Sequence, residues 1–396
     1  MLRTCTMGLV AGLSLASTVD AEVLFVKPTP TGAGNCGSWA DACALTHAIN
    51  SAESGDEVWV RAGVYGPINL KDGVKIIGGF AGNEISASQS NPATNMTIVD
   101  GGGTRRCVYS ANHSAATVLR GFTIRNGYNG YDVDEHGGGG LYLSDSSALI
   151  VQCTFEDNTD AILGGAVAVN IVHATNYSPQ FINCIFRNNG SISPDDPPYE
   201  GGAVFIQGAF VTFTNCLFHG NKAWGGGAVA KVPGSYAIFT NCTMANNQAT
   251  IIRGGAISDV AGAVSLRNCN LWGNTRIEAG VPLSDQIYSP GYDAGVTYSD
   301  VEGGWPGTGN IDADPLFQNS AADDYRLQLG SPCIGTANNI YLPTDVADLD
   351  WDGNTLDTIP MDLGLLPRIL GTGVDMGAYE TPFCGDAYCS TVMSSC

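Results

Sequence analysis

The sequence predicts an all-β solenoid, a fold in which short strands wind repeatedly around one axis. Three observations predict it: a short phrase occurs five times, its copies are regularly spaced, and none of the units contains an amphipathic helix. Steps of 31, 32, 26 and 27 residues separate the cysteines of successive copies. Periods of this size are typical of repeat architectures in which neighbouring units stack, whereas a propeller blade needs ~40 residues.

Each copy of the phrase contains a Cys, any residue, a large apolar residue and, three positions later, an Asn. The copies are VQCTFEDN (151–158), INCIFRNN (182–189), TNCLFHGN (214–221), TNCTMANN (240–247) and RNCNLWGN (267–274). Side chains two residues apart face the same side of a strand, so the Cys and the apolar residue point inward together. The two internal ladders expected from this are Cys153, Cys184, Cys216, Cys242 and Cys269, beside Phe155, Phe186, Phe218, Met244 and Leu271.

The same phrase predicts how the chain turns between strands. Its final Asn tolerates the left-handed backbone conformation that a sharp corner needs. A Gly pair follows four of the five copies, as at Gly164 and Gly201, where a side chain would clash at the next corner. Parallel stacking holds successive Cβ atoms farther apart than the ~3.8 Å that a disulfide prefers. The ladder cysteines are therefore predicted to be free thiols.

The N-terminal flank predicts a capping helix. Apolar residues at positions 44, 45, 48, 49 and 52 form one helical face within 38–54, and Gly55 follows as a stop signal. A solenoid needs covered ends, so we expect this helix to lie over the first coil. Cys36 and Cys43 are close enough to form a disulfide at its entry. Three tail cysteines (Cys384, Cys389 and Cys396) could pair among themselves or with Cys107 or Cys333.

The balance of charge excludes some classes of partner. The 396 residues include 38 acidic and 17 basic side chains, which give a formal net charge of −21. This excess argues against nucleic acid or an anionic membrane as a partner, and it allows cation binding. Hydrophobic residues make up 44% of the chain and charged residues 14%, a composition that forms a packed core rather than a disordered chain.

The first residues predict a signal peptide, residues 1–21. Arg3 supplies a positive charge, residues 7–18 are small and apolar, and Val19-Asp20-Ala21 is a small-x-small cleavage site. The apolar run is shorter than the ~20 residues of a membrane span, so we expect cleavage after Ala21 and a secreted or cell-surface protein without a transmembrane span. The expected mature organisation is a cap and first strand (22–60), solenoid coils (61–305), and C-terminal coils, cap and cysteine-containing tail (306–396).

The repeated phrases resemble the right-handed parallel β-helix, the pectate-lyase-like architecture. The flanks are similar to secreted bacterial β-helix proteins of the choice-of-anchor Q group. The stretches that carry this resemblance are SWADAC, GDEVWVRAGVY, GGFAG, NIDADPLFQN, DYRLQLGSPCIG, DLDWDGN and VDMGAYE. We therefore expect an exported, monomeric right-handed parallel β-helix. The resemblance implies no single activity, because this fold carries lyases, hydrolases, adhesins and passive surface proteins.

Inserts of variable length between the Asn and the Gly pair predict a loop face along one side of the solenoid. The candidate binding residues on this face are Asp132, Asp134, Asp195, Asp196, Glu200, Lys222, Trp224 and Arg253. An aromatic ring with mixed charges suits a polysaccharide, so we expect binding of carbohydrate or another extracellular ligand. A solvated insert face is the alternative interpretation of each single residue.

An enzyme is the alternative function. A polyuronate lyase needs a base for the proton α to the carboxylate, for which Lys222, Arg253 or Arg187 could be proposed. Two acids ~5 to 10 Å apart could instead form a glycosidase. The sequence contains no recognised lyase or glycosidase active-site motif, so the catalytic residues are unknown.

One acidic segment predicts a calcium site. Asp348, Asp350, Asp352, Gly353 and Asn354 read D-x-D-x-D-G-N, and alternating oxygen ligands beside a turn-forming Gly are how a short loop wraps Ca²⁺. The twelfth position of an EF-hand loop is here an Ile, so Asp345, Asp357 or Asp362 would have to complete the shell. An acidic surface turn is the alternative.

Overall fold

The protein is a stack of coils whose strands form four long parallel sheets. The computed structural model describes residues 21–130, 137–160, 162–171, 177–191, 200–251, 253–260, 264–290, 294–371 and 373–382. We number the sheets I to IV in the order in which the chain passes through them within one coil. The predicted all-β solenoid is confirmed, and its architecture is that of a right-handed parallel β-helix.

Sheets I and II carry the strands before and after each ladder Cys. The ten strands of sheet I are Val23–Val26, Glu57–Arg61, Lys75–Phe80, Val118–Arg120, Leu149–Val151, Gln180–Ile182, Phe210–Thr214, Tyr236–Thr240, Val264–Arg267 and Gly295–Thr297. The nine strands of sheet II are Gly63–Tyr65, Thr97–Asp100, Phe122–Arg125, Thr154–Glu156, Ile185–Arg187, Leu217–His219, Thr243–Ala245, Asn270–Trp272 and Asp300–Val301.

Sheets III and IV complete each coil. The seven strands of sheet III are Tyr128–Asn129, Thr159–Asp160, Gly190–Ser191, Lys222–Ala223, Gln248–Ala249, Thr275–Glu278 and the antiparallel Val281–Ser284. The eight strands of sheet IV are Ile68–Asn69, Val108–Ala111, Leu141–Ser144, Val167–Asn170, Val204–Gln207, Val229–Lys231, Ile257–Asp259 and Ile287–Tyr288. The other elements are the α-helix Leu45–Ser51, the 3-10 helices Ala87–Gln89, Ser320–Ala322 and Asn339–Tyr341, and the antiparallel pair Phe317–Asn319 and Asp324–Leu327.

Left-handed residues form the corners between sheets. Before the ladder cysteines, Asn183 and Asn215 have φ angles of 52° and 51°. At the next corner the left-handed residue precedes the final Asn of the phrase, as at Asn188 with a φ of 54°. The prediction that the final Asn adopts this conformation is therefore wrong by one residue. The role predicted for the Gly pair is confirmed, because a Cβ at Gly165 would lie 2.4 Å from the carbonyl oxygen of Gly190.

The final Asn of each phrase instead belongs to an interior hydrogen-bonded ladder. Nδ2 of Asn189 donates to Oδ1 of Asn221 at 3.0 Å, and the backbone N–H of Asn189 donates to the same oxygen. The same contacts link Asn158 to Asn189, Asn221 to Asn247, and Asn247 to Asn274. Each amide therefore satisfies the backbone polar groups of a corner that water does not reach.

The predicted ladders of cysteines and apolar residues are confirmed. All five ladder cysteines are free thiols and at most 1% exposed. Sγ of Cys184 lies 3.4 Å from the carbonyl oxygen of Ile182, so the sulfur also has a polar partner. The rings of Phe155, Phe186 and Phe218 stack with centres 5.0 and 4.5 Å apart. A second stack from sheet I meets them edge to face and consists of Phe181, Phe213 and Phe239.

A closing segment, residues 336–382, lies along the outside of the corner between sheets I and II. Near its start, the backbone N–H of Asn338 donates to Oδ1 of Asn268. The segment then reaches the earlier coil of Arg120, which donates to carbonyl oxygens of residues 347–349. It returns past Asn183, whose Nδ2 donates to the backbone carbonyl of residue 362 at 2.7 Å. The segment thus connects coils that are far apart along the axis.

The predicted cap is confirmed with a shorter helix than the periodic segment 38–54. The helix Leu45–Ser51 buries Leu45, Ala48 and Ile49 against the first coil. The predicted disulfide between Cys36 and Cys43 is present just before it. In the described part of the chain, no helix has the length and apolar character of a membrane span.

Candidate functional site

A cleft of about 560 Å³ lies on the outer face of sheet II. Three successive strands contribute its floor, through Thr123, Thr154, Glu156, Ile185 and Arg187. One wall is the loop 88–96, and the other is the part of the closing segment from 349 to 365. Adjacent strands are ~4.8 Å apart, so an extended ligand in the cleft would cross three coils.

A row of alternating charges runs across sheet II, and its last two members, Glu156 and Arg187, lie in the floor of the cleft. Asp100, Arg125, Glu156 and Arg187 occupy the same register position on adjacent strands. Nε of Arg125 lies 2.9 Å from Oδ2 of Asp100, and Nε of Arg187 lies 3.0 Å from Oε2 of Glu156. The Arg187 side chain is still 42% exposed. The carboxylate therefore orients a guanidinium that keeps free donors for a ligand.

Arg120 connects the floor to the closing segment. Its Nε donates to Oε1 of Gln152 at 2.9 Å, and its terminal nitrogens donate to carbonyl oxygens of 347–349. The guanidinium carbon lies 3.9 Å from the centre of the Trp351 ring. Burial lowers the pKa of Arg120 to about 10, and the nearby Asp345 carboxylate opposes this shift. Arg120 is thus a cation at neutral pH and holds Trp351 at the rim of the cleft.

The remaining lining combines apolar surface with neutral polar groups. Its apolar residues are Pro92, Ala93, Met96, Phe122, Leu349, Met361, Leu363 and Leu365. Its neutral polar residues are Ser88, Ser90, Asn91, Gln152 and Asn183, in addition to the two floor threonines. The charged residues that line it are Arg120, Arg187, Glu156 and Asp350, whose charges cancel. No lysine or histidine is among the described residues of the lining.

Four predicted binding residues lie at the corner between sheets III and IV. Lys222 and Arg253 are exposed there, and Glu200 and Trp224 are half-buried. Burial raises the pKa of Glu200, and the guanidinium of Arg253 lies 6.0 Å from the ring centre of Tyr288. The coils thus bring these four residues to one corner, as expected, but none of them lines the cleft. Asp132, Asp134, Asp195 and Asp196 lie outside the described residues.

The predicted calcium segment forms a tight acidic turn beside the cleft. Asp348, Asp350 and Asp352 each offer a carboxylate oxygen within 4.8 Å of the others. The side chain of Asn354 accepts a hydrogen bond from the backbone N–H of Leu356 at 3.2 Å. The segment can therefore present several oxygen ligands to one cation, and Asp350 also belongs to the lining of the cleft.

Most residues of the cleft were missed by the sequence analysis. Glu156 and Arg187 directly follow the ladder phenylalanines, and the same repeat position holds Arg125 and His219. Charged residues recur at one outward-facing position of successive repeats. This recurrence was a sequence signal for a functional face on that side of the solenoid. Trp351 had no such signal, because it follows no repeat and reaches the cleft only through the closing segment.

One comparison with known protein families agrees with the architecture. A family model described as "Right handed beta helix region" matches residues 68–232. The crystal structure of pectate lyase Pel9A is similar over 91% of this chain and 96% of that chain, with a TM-score of 0.45 and 12% sequence identity. A search of curated proteins gave no match. The matched region and the four parallel sheets together identify the fold of this chain as a right-handed parallel β-helix.

Proposed function

We propose that the protein binds a neutral extracellular polysaccharide in the cleft on sheet II and does not cleave it. The observation that carries this proposal is the set of residues that line the cleft. The cleft spans three successive coils, and its lining includes Trp351 and the oriented Arg187–Glu156 pair. A paired guanidinium and carboxylate offers hydrogen-bond donors and acceptors in fixed directions, which suits sugar hydroxyls. The Trp351 ring and the methionine and leucine side chains offer apolar surface for the C–H faces of a sugar ring.

Neutral sugars are favoured over polyuronates by the charges of the cleft. Two arginines and two acids line it, so it presents no net positive charge to a carboxylate-bearing polymer. The chain as a whole has a formal net charge of −21, which repels polyanions at long range. A linear neutral polymer needs no positive charge in the cleft and is not repelled by the negative charge of the chain. Such a polymer could follow the cleft along the solenoid axis.

An extracellular site of action is supported by the disulfide between Cys36 and Cys43. Disulfides persist in oxidising compartments and are rare in the cytosol. Of the predicted signal peptide, residues 1–21, only Ala21 belongs to the described residues. Its cleavage is tested by N-terminal sequencing of the exported protein, which should begin at Glu22.

Catalysis by a lyase has less support than binding. Of the three bases that could be proposed, only Arg187 lines the cleft, and its guanidinium is paired with Glu156. A guanidinium remains protonated in proteins and is a poor proton acceptor at neutral pH. Lys222 and Arg253 lie at the opposite corner of the coil.

The proposal is tested by calorimetric titration of a panel of neutral and acidic oligosaccharides. We expect binding of a neutral member, at least a tenfold loss of affinity in Arg187→Ala, and a similar loss in Trp351→Ala. Lys222→Ala is the matched control, because it removes a cation from the loop face and leaves the cleft intact. Loss of affinity in Lys222→Ala with no change in Arg187→Ala would overturn the assignment to the cleft. Unsaturated products that absorb in the near-ultraviolet would establish a lyase instead.

A further inference from the structure

The acidic turn of the closing segment concentrates negative charge in a small volume. The carboxylates of Asp348, Asp350 and Asp352 lie within 4.8 Å of one another. Arg120 is the nearby cation, but it directs its terminal N–H groups to backbone carbonyl oxygens rather than to these carboxylates. Three ionised carboxylates at this separation repel one another.

A second observation at the base of the turn points to a cation. Asp345 has 0% exposure, and its Oδ2 accepts the backbone N–H of Leu349 at 2.7 Å. Its Oδ1 is buried without a hydrogen-bond partner, and so is Oδ1 of Asp357. Buried carboxylate oxygens require a partner, and ionised acids around Asp345 cannot provide one because they only accept hydrogen bonds.

We propose that the turn between Asp345 and Asp357 binds one Ca²⁺ ion. Asp348, Asp350 and Asp352 supply direct ligands. Asp345 and Asp357, which carry the unpartnered Oδ1 atoms, are joined at the base of the turn by a hydrogen bond from the backbone N–H of Asp345 to the carbonyl oxygen of Asp357. All of these ligands are oxygens, and the group contains no His or Cys, which excludes the preferred donor set of zinc. Backbone carbonyls and water complete the six to eight ligands that Ca²⁺ takes.

The position of the turn gives the ion a role in ligand binding, a consequence that rests on the proposed function. In the sequence, Trp351 lies between the ligands Asp350 and Asp352, and its ring packs on Arg120 at the rim of the cleft. Asp350 itself lines the cleft. Bound Ca²⁺ would therefore fix the wall that presents Trp351, and removal of the ion would leave this wall free to move. Oligosaccharide affinity should then depend on Ca²⁺.

The test uses Ca²⁺ alone as the probe, on the full mature chain. Extracellular calcium modules bind at ~10⁻⁴ to 10⁻³ M, so we expect saturable binding heat in this range and a rise of a few degrees in melting temperature at millimolar Ca²⁺. Mg²⁺ should not reproduce the rise, because it prefers strict octahedral geometry and retains its water. EDTA should reverse it.

Two variants assign the effect to this turn. Asp350→Ala with Asp352→Ala should abolish both the heat and the rise. Asp350→Asn with Asp352→Asn retains the side-chain acceptors of the turn and should weaken Ca²⁺ binding at least tenfold, so the test remains decisive if the alanine variant fails to fold. Asp312→Asn with Asp314→Asn removes two charges from another exposed turn of the C-terminal region and should leave Ca²⁺ binding unchanged.

The outcomes separate this inference from the proposed function. Absence of heat and of any melting shift with Ca²⁺ would overturn the site, and so would an undiminished shift in both turn variants. Ca²⁺ binding without any oligosaccharide binding would leave the site standing and remove the proposed function. Oligosaccharide binding that is unaffected by EDTA, in a protein that binds Ca²⁺, would overturn the coupling between them.

Discussion

The guanidinium carbon of Arg120 lies 3.9 Å from the centre of the Trp351 ring, although the two residues belong to distant parts of the chain. Arg120 is 4% exposed and also donates to three carbonyl oxygens of the closing segment. We expect Arg120→Ala to lower the free energy of unfolding by about 3 kcal/mol, because it removes several charge-assisted hydrogen bonds and leaves buried acceptors. Urea unfolding measures this loss.

The matched control for Arg120→Ala is Arg125→Ala. Arg125 is partly exposed and pairs with Asp100 at the surface, so its loss should cost about 1 kcal/mol or less. Limited proteolysis should cut the segment 345–365 faster in Arg120→Ala than in the control. Equal stability of the two variants would contradict the role given to Arg120.

The asparagine ladder predicts a large cost for one interior substitution. Asn221 accepts from Asn189 and donates to Asn247 and to the carbonyl oxygen of Phe186. Asn221→Ala should cost about 2–4 kcal/mol in urea unfolding, because each bond lost leaves a buried group unsatisfied. Asn188→Gly is the control at the same corner and should be nearly neutral, since Gly accepts its left-handed conformation.

The cysteine ladder predicts protection of Cys184 from thiol reagents. The residue is 0% exposed, and its sulfur contacts carbonyl oxygens of two coils. Peptide mass spectrometry after labelling should find Cys184 modified only in denaturant. Because serine keeps a carbonyl partner, Cys184→Ser and Cys184→Ala should each cost about 1–2 kcal/mol. Labelling of Cys184 in the native protein would contradict the buried ladder.

Lys231 and Asp259 form an ion pair inside the solenoid. Nζ of Lys231 is 2.6 Å from Oδ1 of Asp259, both residues are 0% exposed, and they are neighbours in sheet IV. Lys231→Met should cost about 3–5 kcal/mol because it removes the cation that neutralises the buried Asp259 carboxylate. Adding Asp259→Val should recover most of that loss, since an apolar pair of similar volume can replace a buried ion pair. A double variant as unstable as the single one would contradict this account.

The buried carboxyl groups predict that stability falls as the pH rises from about 5 to 8. Burial raises the pKa of Glu380 to about 8, although Arg368 opposes the shift, and burial raises the pKa of Asp362 to about 6. The folded state therefore binds more protons than the unfolded state across this range. The stability that these carboxyl groups contribute is fully present below their pKa in the unfolded chain, and it is lost as the pH rises through their pKa in the folded protein.

Urea midpoints at pH 5, 6, 7 and 8 check this direction. Glu380→Gln should flatten the dependence, because it removes the group with the highest of these pKa values. Asp324→Asn is the control, since hydrogen bonds from Arg326 lower the pKa of Asp324 and its titration falls below this window. A stability that rises from pH 5 to 8 in Ca²⁺-free buffer would contradict the prediction.

The repeats could be predicted because their rules are local. Period-2 alternation places Cys153 and Phe155 on one side of a strand, and the Gly pair marks a corner, so neither depends on distant residues. The shift of the left-handed position to Asn188 was missed because either Asn of an Asn-Asn corner could adopt that conformation. Only the contact between stacked coils selects Asn189 for the interior.

The cleft was not predictable in the same way. Its floor follows from the outward positions of Glu156 and Arg187, but its second wall depends on where the closing segment turns back. That segment has no repeat and, in its described residues, no strand, and its position is fixed by single contacts such as those of Arg120 and Asn183. The acidic turn could therefore be identified from the sequence, whereas its position beside the cleft could not.

The interior thiols make folding a competition between two rates. Seven cysteines of the described chain are buried as thiols, whereas Cys36 and Cys43 must be oxidised to form the disulfide beside the cap. Before the coils stack, every thiol is open to the same oxidant. Burial then raises the pKa of Cys153 and suppresses the thiolate that reacts. Refolding yield in an oxidising buffer therefore depends on whether coil stacking outruns thiol oxidation.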